Sequence, residues 1–581
     1  MRKGADYAGL SKSLGADPLL VRIMRNRGLT TEEEMRTYLY GTAEDLHDPH
    51  LMKDAEKAAG ILLGKIRDGR QIRVIGDYDI DGVMATYILL RALERCGASA
   101  DYAIPDRIAD GYGLNPHLIA QAAEDGIDTI LTCDNGIAAF EAIALAKEQG
   151  MTVIVTDHHQ VPYTEEDGIR REKRSAADAV VNPHQAEDSY PYKELCGAAV
   201  AYKLVRILYE KAGIRPEEAD VFLEQAGFAT IGDVMDLTGE NRILAKLGLE
   251  ALNHTENIGM RALIAQNDLN ETQIKAWHVG FRLGPCLNAG GRLQTADLSL
   301  QLLLSKTMEE AVPAAIQVTA LNEQRKSMTE LAVAEAEQQI RENGYEKDCV
   351  LVIFLPDCHE SLAGIVAGRI RERYHRPVLV IARGKESAKG SGRSIEAYSM
   401  FEELSGCGEL FLKYGGHPMA AGFSLKEENI DELRRRLNAQ TRLTQEDLRP
   451  VIRIDADMPA NYVTEALIRQ MDLLEPFGKA NEKPVFACRQ MRIRSLRVFG
   501  KHRNVCRLDL EDGQKIRTEG VYFGDPEELY GVIAEKYGER TADAYRNHRV
   551  TEPAALHICY YPDLNEYNGS SRIQLVIRSV S

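Results

Sequence analysis

Three carboxylates fall within five residues in Asp77-Tyr78-Asp79-Ile80-Asp81-Gly82. Acids crowded to that density repel one another or hold protons to higher pH, and a divalent cation relieves both. The spacing lacks the glycine and bidentate glutamate positions of an EF-hand, which leaves a metal-binding strand end, an Asp-rich turn or an isolated calcium loop. Two further segments carry ligand types, Asp134-Asn135-Gly136 and Asp157-His158-His159. Taken alone, Asp-Asn-Gly is a common turn and a histidine pair is ordinary in a loop. Imidazole beside carboxylate also suits Mn²⁺, Mg²⁺ or Zn²⁺, because a neighbouring Asp can orient a ligating His through its second ring nitrogen. A fourth acid, Asp233, follows the apolar helical segment ending Ala229-Thr230-Ile231-Gly232, where helix-end solvation accounts for it equally well.

Each of the first three groups follows a short β-branched or apolar run: Gln71 to Gly76, Thr129 to Cys133 and Met151 to Thr156. Helical segments separate these runs, which predicts an α/β unit with a mostly parallel sheet covered on both faces. Such sheets carry ligands at the carboxyl ends of their strands, so acids and histidines converge from three strand ends. Around this unit, taken as residues 51–304, the chain reads as a helical lead-in over 1–50 and an Ala/Glu/Gln-rich connecting helix over 305–345. A second, smaller α/β unit follows over 346–445, with strands at Val350 to Phe354 and Pro377 to Ile381 around a helix at Leu362 to Tyr374. Over 446–581 helix signals fall away and short alternating strands, such as Val485 to Arg489, Asn504 to Leu510 and Ile573 to Ile577, predict a small β-barrel.

A length of 581 residues exceeds what one core supports. With 44% hydrophobic and 27% charged residues the composition is that of a globular protein. None of the ten cysteines forms a CxxC pair, which argues against a zinc ribbon and a disulfide framework. No apolar run reaches membrane-spanning length and Met1 to Leu14 has no signal-peptide core, so a cytoplasmic protein is expected. The net charge of -17 argues against a nucleic-acid partner until its distribution is considered. Eight Lys/Arg against two Glu lie between Arg369 and Arg393, and six Lys/Arg against no acid lie between Arg489 and Arg503. These are phosphate-binding stripes or solvated faces.

In order and spacing, GDYDIDG at 76–82, Asp134, DHH at 157–159 and Asp233 resemble the four motifs of the DHH phosphoesterases. Further segments narrow the resemblance to the RecJ family of exonucleases: Leu195-Cys196-Gly197, Gly239-Glu240-Asn241-Arg242, Asn288-Ala289-Gly290-Gly291-Arg292-Leu293, Gly390-Ser391-Gly392-Arg393-Ser394, Gly415-Gly416-His417 and Glu475-Pro476-Phe477-Gly478. Together they extend over nearly the whole chain. Cys358 stands where the family pattern has Trp, and Gly290 where it has a second Ala; neither position is a proposed ligand.

The resemblance implies a mostly parallel-sheet DHH domain, a long connecting helix, a smaller α/β DHHA1 domain and a C-terminal OB-like barrel. It implies two Mn²⁺ or Mg²⁺ ions held by Asp79, Asp81, Asp134, His158 and Asp233, with Asp134 and Asp233 bridging and Asp77 as a further candidate. A metal pair lowers the pKa of water and neutralises charge on both oxygens of a phosphodiester exchange. His159 would contact the scissile phosphate or assist proton transfer, and Asp157 would steady the histidine loop. Arg107, Arg292, Ser391 and Arg393 would hold a 5′ phosphate; the Ser391-Gly392-Arg393 segment is otherwise a polar turn. His417 would face the metal site across a cleft, or serve structure. Arg489, Arg492, Arg494, Arg497, Phe499, Lys501 and Arg503 would line a groove for single strands. The implied function is 5′ to 3′ degradation of single-stranded DNA in repair and recombination, by a monomer, with a single-strand-binding protein as a possible partner. Two rivals remain: a DHH phosphodiesterase of short oligonucleotides or cyclic dinucleotides, and a non-catalytic replication scaffold. Scaffolds of that kind lose ligands, and every one is present here.

Overall fold

The computed structural model describes residues 6–107, 111, 113–166, 169–500, 503–567 and 570–581. Its first sheet is parallel throughout, with strands in the order Ser99–Ala103, Gln71–Ile75, Thr129–Cys133, Thr152–Thr156 and Ala179–Val181. Successive side chains alternate between faces. Val74, Leu131 and Ile154 pack with the helices Ala55–Arg67, Ile80–Arg95 and Gly197–Lys211, while Ile75, Ile130, Val153 and Val155 pack with Pro116–Glu124 and Phe140–Glu148. Burial on both faces is what gives these strands near-continuous apolar sequences. The chain leaves Gln71–Ile75 toward one edge and returns on its other side as Thr129–Cys133, so strand order reverses between these neighbours. That reversal opens a crevice at their carboxyl ends.

The sheet is extended by a helical region reaching Leu304, which shares its core, and then by the 35-residue helix Met308–Glu342. At about 1.5 Å per residue this helix is about 52 Å long. Ala311, Ala315 and Val318 near its start pack into the first core, whereas Ala332, Ala336 and Ile340 near its end pack under the second sheet. One element thus fixes the two α/β units to each other. The second sheet runs Phe411–His417, Ala420–Leu425, Ala388–Arg393, Val378–Arg383 and Leu351–Phe354, with only the last pair parallel.

The third sheet closes on itself. Its strands run Ala456–Asp457, Phe486–Phe499, Val505–Glu511, Arg517–Phe523, Ser570–Val580 and Ala554–Tyr567, and Phe486–Phe499 also pairs with Ala554–Tyr567. The expected barrel is therefore present, but the expected loss of helix is not: Glu465–Met471, Pro526–Tyr537 and Glu539–Arg546 are helical. Short amphipathic helices among alternating strands do not stand out from a coarse reading of periodicity. The lead-in is helical over Tyr7–Leu14, Pro18–Asn26 and Glu32–Tyr40, the last opened by a capping box between Thr31 and Glu34. Its apolar residues join the barrel's core, some 430 residues away in sequence, and not that of the adjacent sheet. Among the described residues no helix is long and apolar enough to cross a membrane.

Candidate active site

Asp77 leaves the strand Gln71–Ile75 in a turn that folds back on the helix Ile80–Arg95. The Asp79 carboxylate caps that helix, accepting from the Asp81 and Gly82 amides at 3.0 and 3.2 Å. Gly82 is required by closeness, since a Cβ there would lie 2.4 Å from the Asp77 carbonyl oxygen. Asp81, on the first helical turn, points the other way: its two oxygens accept from the Gly197 and Ala198 amides at 2.6 and 2.8 Å, at the start of Gly197–Lys211. These first-turn amides have no partner within their own helix, and Asp81 fills that role.

Asp134 follows the neighbouring strand with φ of 60°, in the left-handed region. Asn135 over-determines this strained turn, donating to the Ile75 and Cys133 carbonyls at 3.0 and 2.9 Å and accepting from the Leu114 amide at 3.1 Å. Asp157, after the third strand, is consumed internally. Its Oδ1 accepts from the His158 and His159 amides at 2.7 and 3.1 Å and lies 2.7 Å from His159 Nδ1, while Oδ2 accepts from the Ile137 amide at 2.9 Å. Asp157 thus sets the histidine loop. Asp233 caps the helix Leu223–Gly232 and precedes Val234, itself left-handed at φ of 56°.

These segments meet. His158 Nε2 lies 3.0 Å from Asp134 Oδ1 and 3.6 Å from Asp81 Oδ2, and His159 Nδ1 lies 3.9 Å from Asp134 Oδ1. Three overlapping sets each place ligand atoms within 4.8 Å of one another: Asp134, His158 and His159; Asp81, His158 and Asp233; Asp77, Asp79 and Asp134. Asp134 and His158 are each shared by two sets, whereas Asp233 belongs to one. All six expected ligands, Asp77 included, are therefore in the cluster.

Burial, followed by repulsion from neighbouring carboxylates, raises the Asp77, Asp134 and Asp233 carboxyls well above the usual range, and Asp79 rises for the same reasons. Asp157 is held low in spite of burial by its hydrogen bond and charge pairing with His159. His158 is pushed down by burial; His159, against burial, is pushed up to about 9 by Asp157. Among the described residues, Asp77 Oδ1 is buried without a hydrogen-bond partner. Such a concentration of inward carboxylates with an orphaned oxygen is costly unless cations share it, and oxygen ligands with imidazole are the donor set of Mn²⁺ or Mg²⁺. The residues fit the metal.

Beside Asp77 and Asp79 opens a pocket of about 340 Å³ lined by Tyr78, Arg107 and Arg292 from the first unit and by Gly364, Ser391 and Arg393 from the second. The Arg107 guanidinium rests 4.8 Å from the Tyr78 ring centre. Arg292 donates to the Ser361 carbonyl at 3.2 Å, and Arg393 donates to Ser391 Oγ at 3.1 Å and the Gly392 carbonyl at 2.8 Å. Neither Arg292 nor Arg393 pairs with an acid among the described residues. The acid on the pocket's rim, Glu360, is paired instead with Lys389 at 3.1 Å. Burial and the nearby Arg107 push Arg292 down to about 10, and burial with Arg371 and Arg107 lowers Arg393. Gly364 opens the helix Ala363–Tyr374 against this cluster, where a Cβ would meet Arg393 and Ser391 at 2.8 and 2.9 Å. Uncompensated guanidiniums at a helix N-terminus make an anion site.

Known proteins resemble this chain along most of its length. Residues 71–225 match the DHH family N-terminal domain, 347–442 the DHHA1 domain and 454–579 the RecJ OB domain. The single-stranded-DNA-specific exonuclease RecJ of Haemophilus influenzae is 30% identical over 98% of this chain and 97% of its own. This chain belongs to the RecJ family. RecJ of Bacillus subtilis is 34% identical, over 98% of this chain and 69% of that protein. RecJ of Thermus thermophilus in complex with Mn²⁺ superposes with a TM-score of 0.79 at 27% identity, covering 99% of this chain and 77% of that one; its Mg²⁺ complex gives 0.75 at 26%, covering 99% and 76%.

Other expected RecJ positions are placed less simply. His417 ends the exposed strand Phe411–His417, opposite Ala420, and is not among the residues lining the arginine pocket. On the barrel, Arg494 pairs with Glu511 at 2.8 Å, Arg492 lies 4.0 Å from the same acid and Arg489 lies 3.9 Å from Asp457, so that stripe is partly neutralised by acids from neighbouring strands. Arg497 and Arg503 have no acid partner among the described residues, and Lys501 lies outside them. Phe499 is 46% exposed and Phe523, which sequence reading passed over, is 64% exposed. Both are registered against Val505, so they flank it in one cross-strand row. Sequence reading also assigned no task to Gly197, Ala198, Asn135 or Asn288, whose Oδ1 accepts from the Ile80 amide at 2.8 Å. Gly197 and Asn288 stood in the family motifs, but the contact that gives each of these residues its purpose joins distant segments.

Proposed function

We propose that this chain is a metal-dependent exonuclease that degrades single-stranded DNA from a 5′-phosphorylated end, in the 5′ to 3′ direction, releasing 5′-mononucleotides. The observation that carries the reading is the pocket of uncompensated arginines opening directly beside the carboxylate and histidine cluster. Tyr78 belongs to the pocket's wall while its chain neighbours Asp77 and Asp79 belong to the cluster. A terminal phosphate held by Arg107, Arg292, Ser391 and Arg393 leaves the adjoining phosphodiester beside the ligands, which sets both direction and product size.

Asp77, Asp79, Asp81, Asp134, His158 and Asp233 would hold two divalent ions, which when bound lower the pKa of water and neutralise charge on the phosphodiester oxygens. The remaining work falls to the chain. Asp157 holds His159 protonated at neutral pH, so the half-exposed imidazolium can donate a hydrogen bond to a non-bridging phosphate oxygen or a proton to the departing 3′ oxygen. Exposed Phe499 and Phe523, with Arg497 and Arg503, offer base stacking and phosphate contacts to the trailing strand. The role we assign is in DNA repair and recombination.

Digestion of 5′-phosphorylated single-stranded and duplex DNA with Mn²⁺, beside Asp134→Ala and His158→Ala proteins, tests the reading. Mononucleotides from the single strand alone, lost in both variants, are expected. Cleavage of duplex at an equal rate, or unchanged cleavage by the variants, refutes it.

A further inference from the structure

The segment Glu475-Pro476-Phe477-Gly478-Lys479-Ala480-Asn481 links the barrel to the metal site, and it is held with unusual completeness. Asn481 is buried, donating to the Leu474 and Pro476 carbonyls at 3.0 and 2.6 Å and accepting from Tyr38 Oη at 2.7 Å and from Arg27. The buried Arg242 guanidinium stacks 3.7 Å from the Tyr38 ring centre and donates to the carbonyls of Tyr38, Leu473, Leu474 and Glu475 at 2.8 to 3.0 Å. Lead-in, catalytic unit and barrel are thus pinned at one point. From there the turn reaches the loop that follows Asp233: the Leu237 amide donates to the Lys479 carbonyl at 2.9 Å, and a Cβ on Gly478 would lie 2.7 Å from Leu237.

The side chain this turn delivers is a cation. Lys479 Nζ lies 3.0 Å from Asp236 Oδ1, three residues after the proposed ligand Asp233. The lysine side chain is 59% and the aspartate 37% exposed, although Asp236 Oδ1 itself is buried, and a pair with so wet a cation contributes little to stability. The rigid turn therefore has another use for its lysine than joining domains. We propose that Lys479 is a strand-positioning residue of the exonuclease site, holding a backbone phosphate of the single strand on the Asp233 side of the metal cluster. The arginine pocket borders Asp77 and Asp79, so the strand is gripped on both sides of the bond to be cut, once by the second α/β unit and once by the barrel's turn. This rests on the function proposed above.

The test uses the full chain with Lys479→Ala, Lys479→Gln and Lys479→Arg, and Asp236→Ala, which breaks the same ion pair but keeps the cation. Affinity for a 5′-phosphorylated single strand is read by fluorescence anisotropy without metal across a salt series, and Mn²⁺ uptake is read by calorimetry. Loss of one phosphate contact is expected to flatten the log-log salt slope by about 0.7 and raise Kd about tenfold in the Ala and Gln proteins. Arg should restore both, Asp236→Ala should keep both near wild type, and Mn²⁺ should bind every variant. A wild-type slope in Lys479→Ala, or the same defect in Asp236→Ala, overturns the inference and leaves Lys479 a structural pair. Failure of the wild-type protein to degrade single strands would instead overturn the function on which it rests.

Discussion

Gly197 has no side chain to offer substrate or metal, yet it abuts Asp134 closely enough to fix where that residue sits. A Cβ there would lie 2.6 Å from Asp134 Cβ and 2.8 Å from its Cα. Ordinary contact begins near 3.4 Å, so Gly197→Ala must separate the two segments by about 0.8 Å. Neither side can yield cheaply. The Gly197 amide is bonded to Asp81 at 2.6 Å, and Asp134 is held in a left-handed conformation by the Asn135 network. Metal ligands tolerate displacement of about 0.2 Å, and misplacement of about 1 Å in a reacting constellation costs about 10²-fold in rate, or about 2.7 kcal/mol in the barrier. We therefore expect Gly197→Ala to lower kcat by about two orders of magnitude and to weaken Mn²⁺ binding by calorimetry, while circular dichroism shows a folded protein. Wild-type Mn²⁺ affinity with kcat within threefold of wild type would refute the claim that Gly197 sets the position of Asp134.

Arg393→Ala and Arg292→Lys should each lose preference for a 5′-phosphorylated over a 5′-hydroxyl strand, by about tenfold or more; equal preference in wild type and variants, measured by competition digestion, would count against the pocket. Phe499→Ala and Phe523→Ala should each weaken single-strand binding by about 1–3 kcal/mol per lost stack without changing hydrolysis of a dinucleotide, read by anisotropy and product analysis. Burial holds the Glu224 carboxyl up to about 7, with Thr255 opposing. The folded state then retains a proton that the unfolded state releases above its own lower pKa. Its contribution to stability is greatest below about 4.5, falls as pH rises to 7 and is flat beyond, by up to about 3 kcal/mol. Glu224→Gln should accordingly gain on wild type in urea denaturation at pH 8 compared with pH 5, and an equal difference at the two values would refute this.

The candidate metal ligands were legible because each follows a strand or helix end, and residue type with position on such an end is a local signal. His158 and Asp134 needed only the rule that parallel strands aim their carboxyl ends at one crevice. What stayed hidden was contact between distant segments. Nothing local says that Gly197 abuts Asp134, that Asp81 turns from its own strand end to a helix beginning at 197, or that the lead-in packs on the barrel. The expected basic stripe on Phe486–Phe499 shows the same limit from the other side. Of six cations without an acid in sequence, Arg489, Arg492 and Arg494 meet Asp457 or Glu511 across the sheet, because strand pairing brings in charges that the linear segment lacks.

That pairing also explains how a chain of charge -17 can present itself to DNA. The acids that matter most for repulsion are turned inward: Asp77, Asp81, Asp134 and Asp157 are each at most 2% exposed, and bound cations would cancel much of the field they leave. Arg292 and Arg393, by contrast, pair with no acid among the described residues and line one pocket. Cations held by buried acids, as Arg494 is by Glu511, add little to phosphate binding, while unspent ones, and Lys479 with its exposed ammonium, remain open to it. The relevant quantity is therefore the charge left uncompensated along the strand's path, and the total charge neither forbids nor supports the substrate.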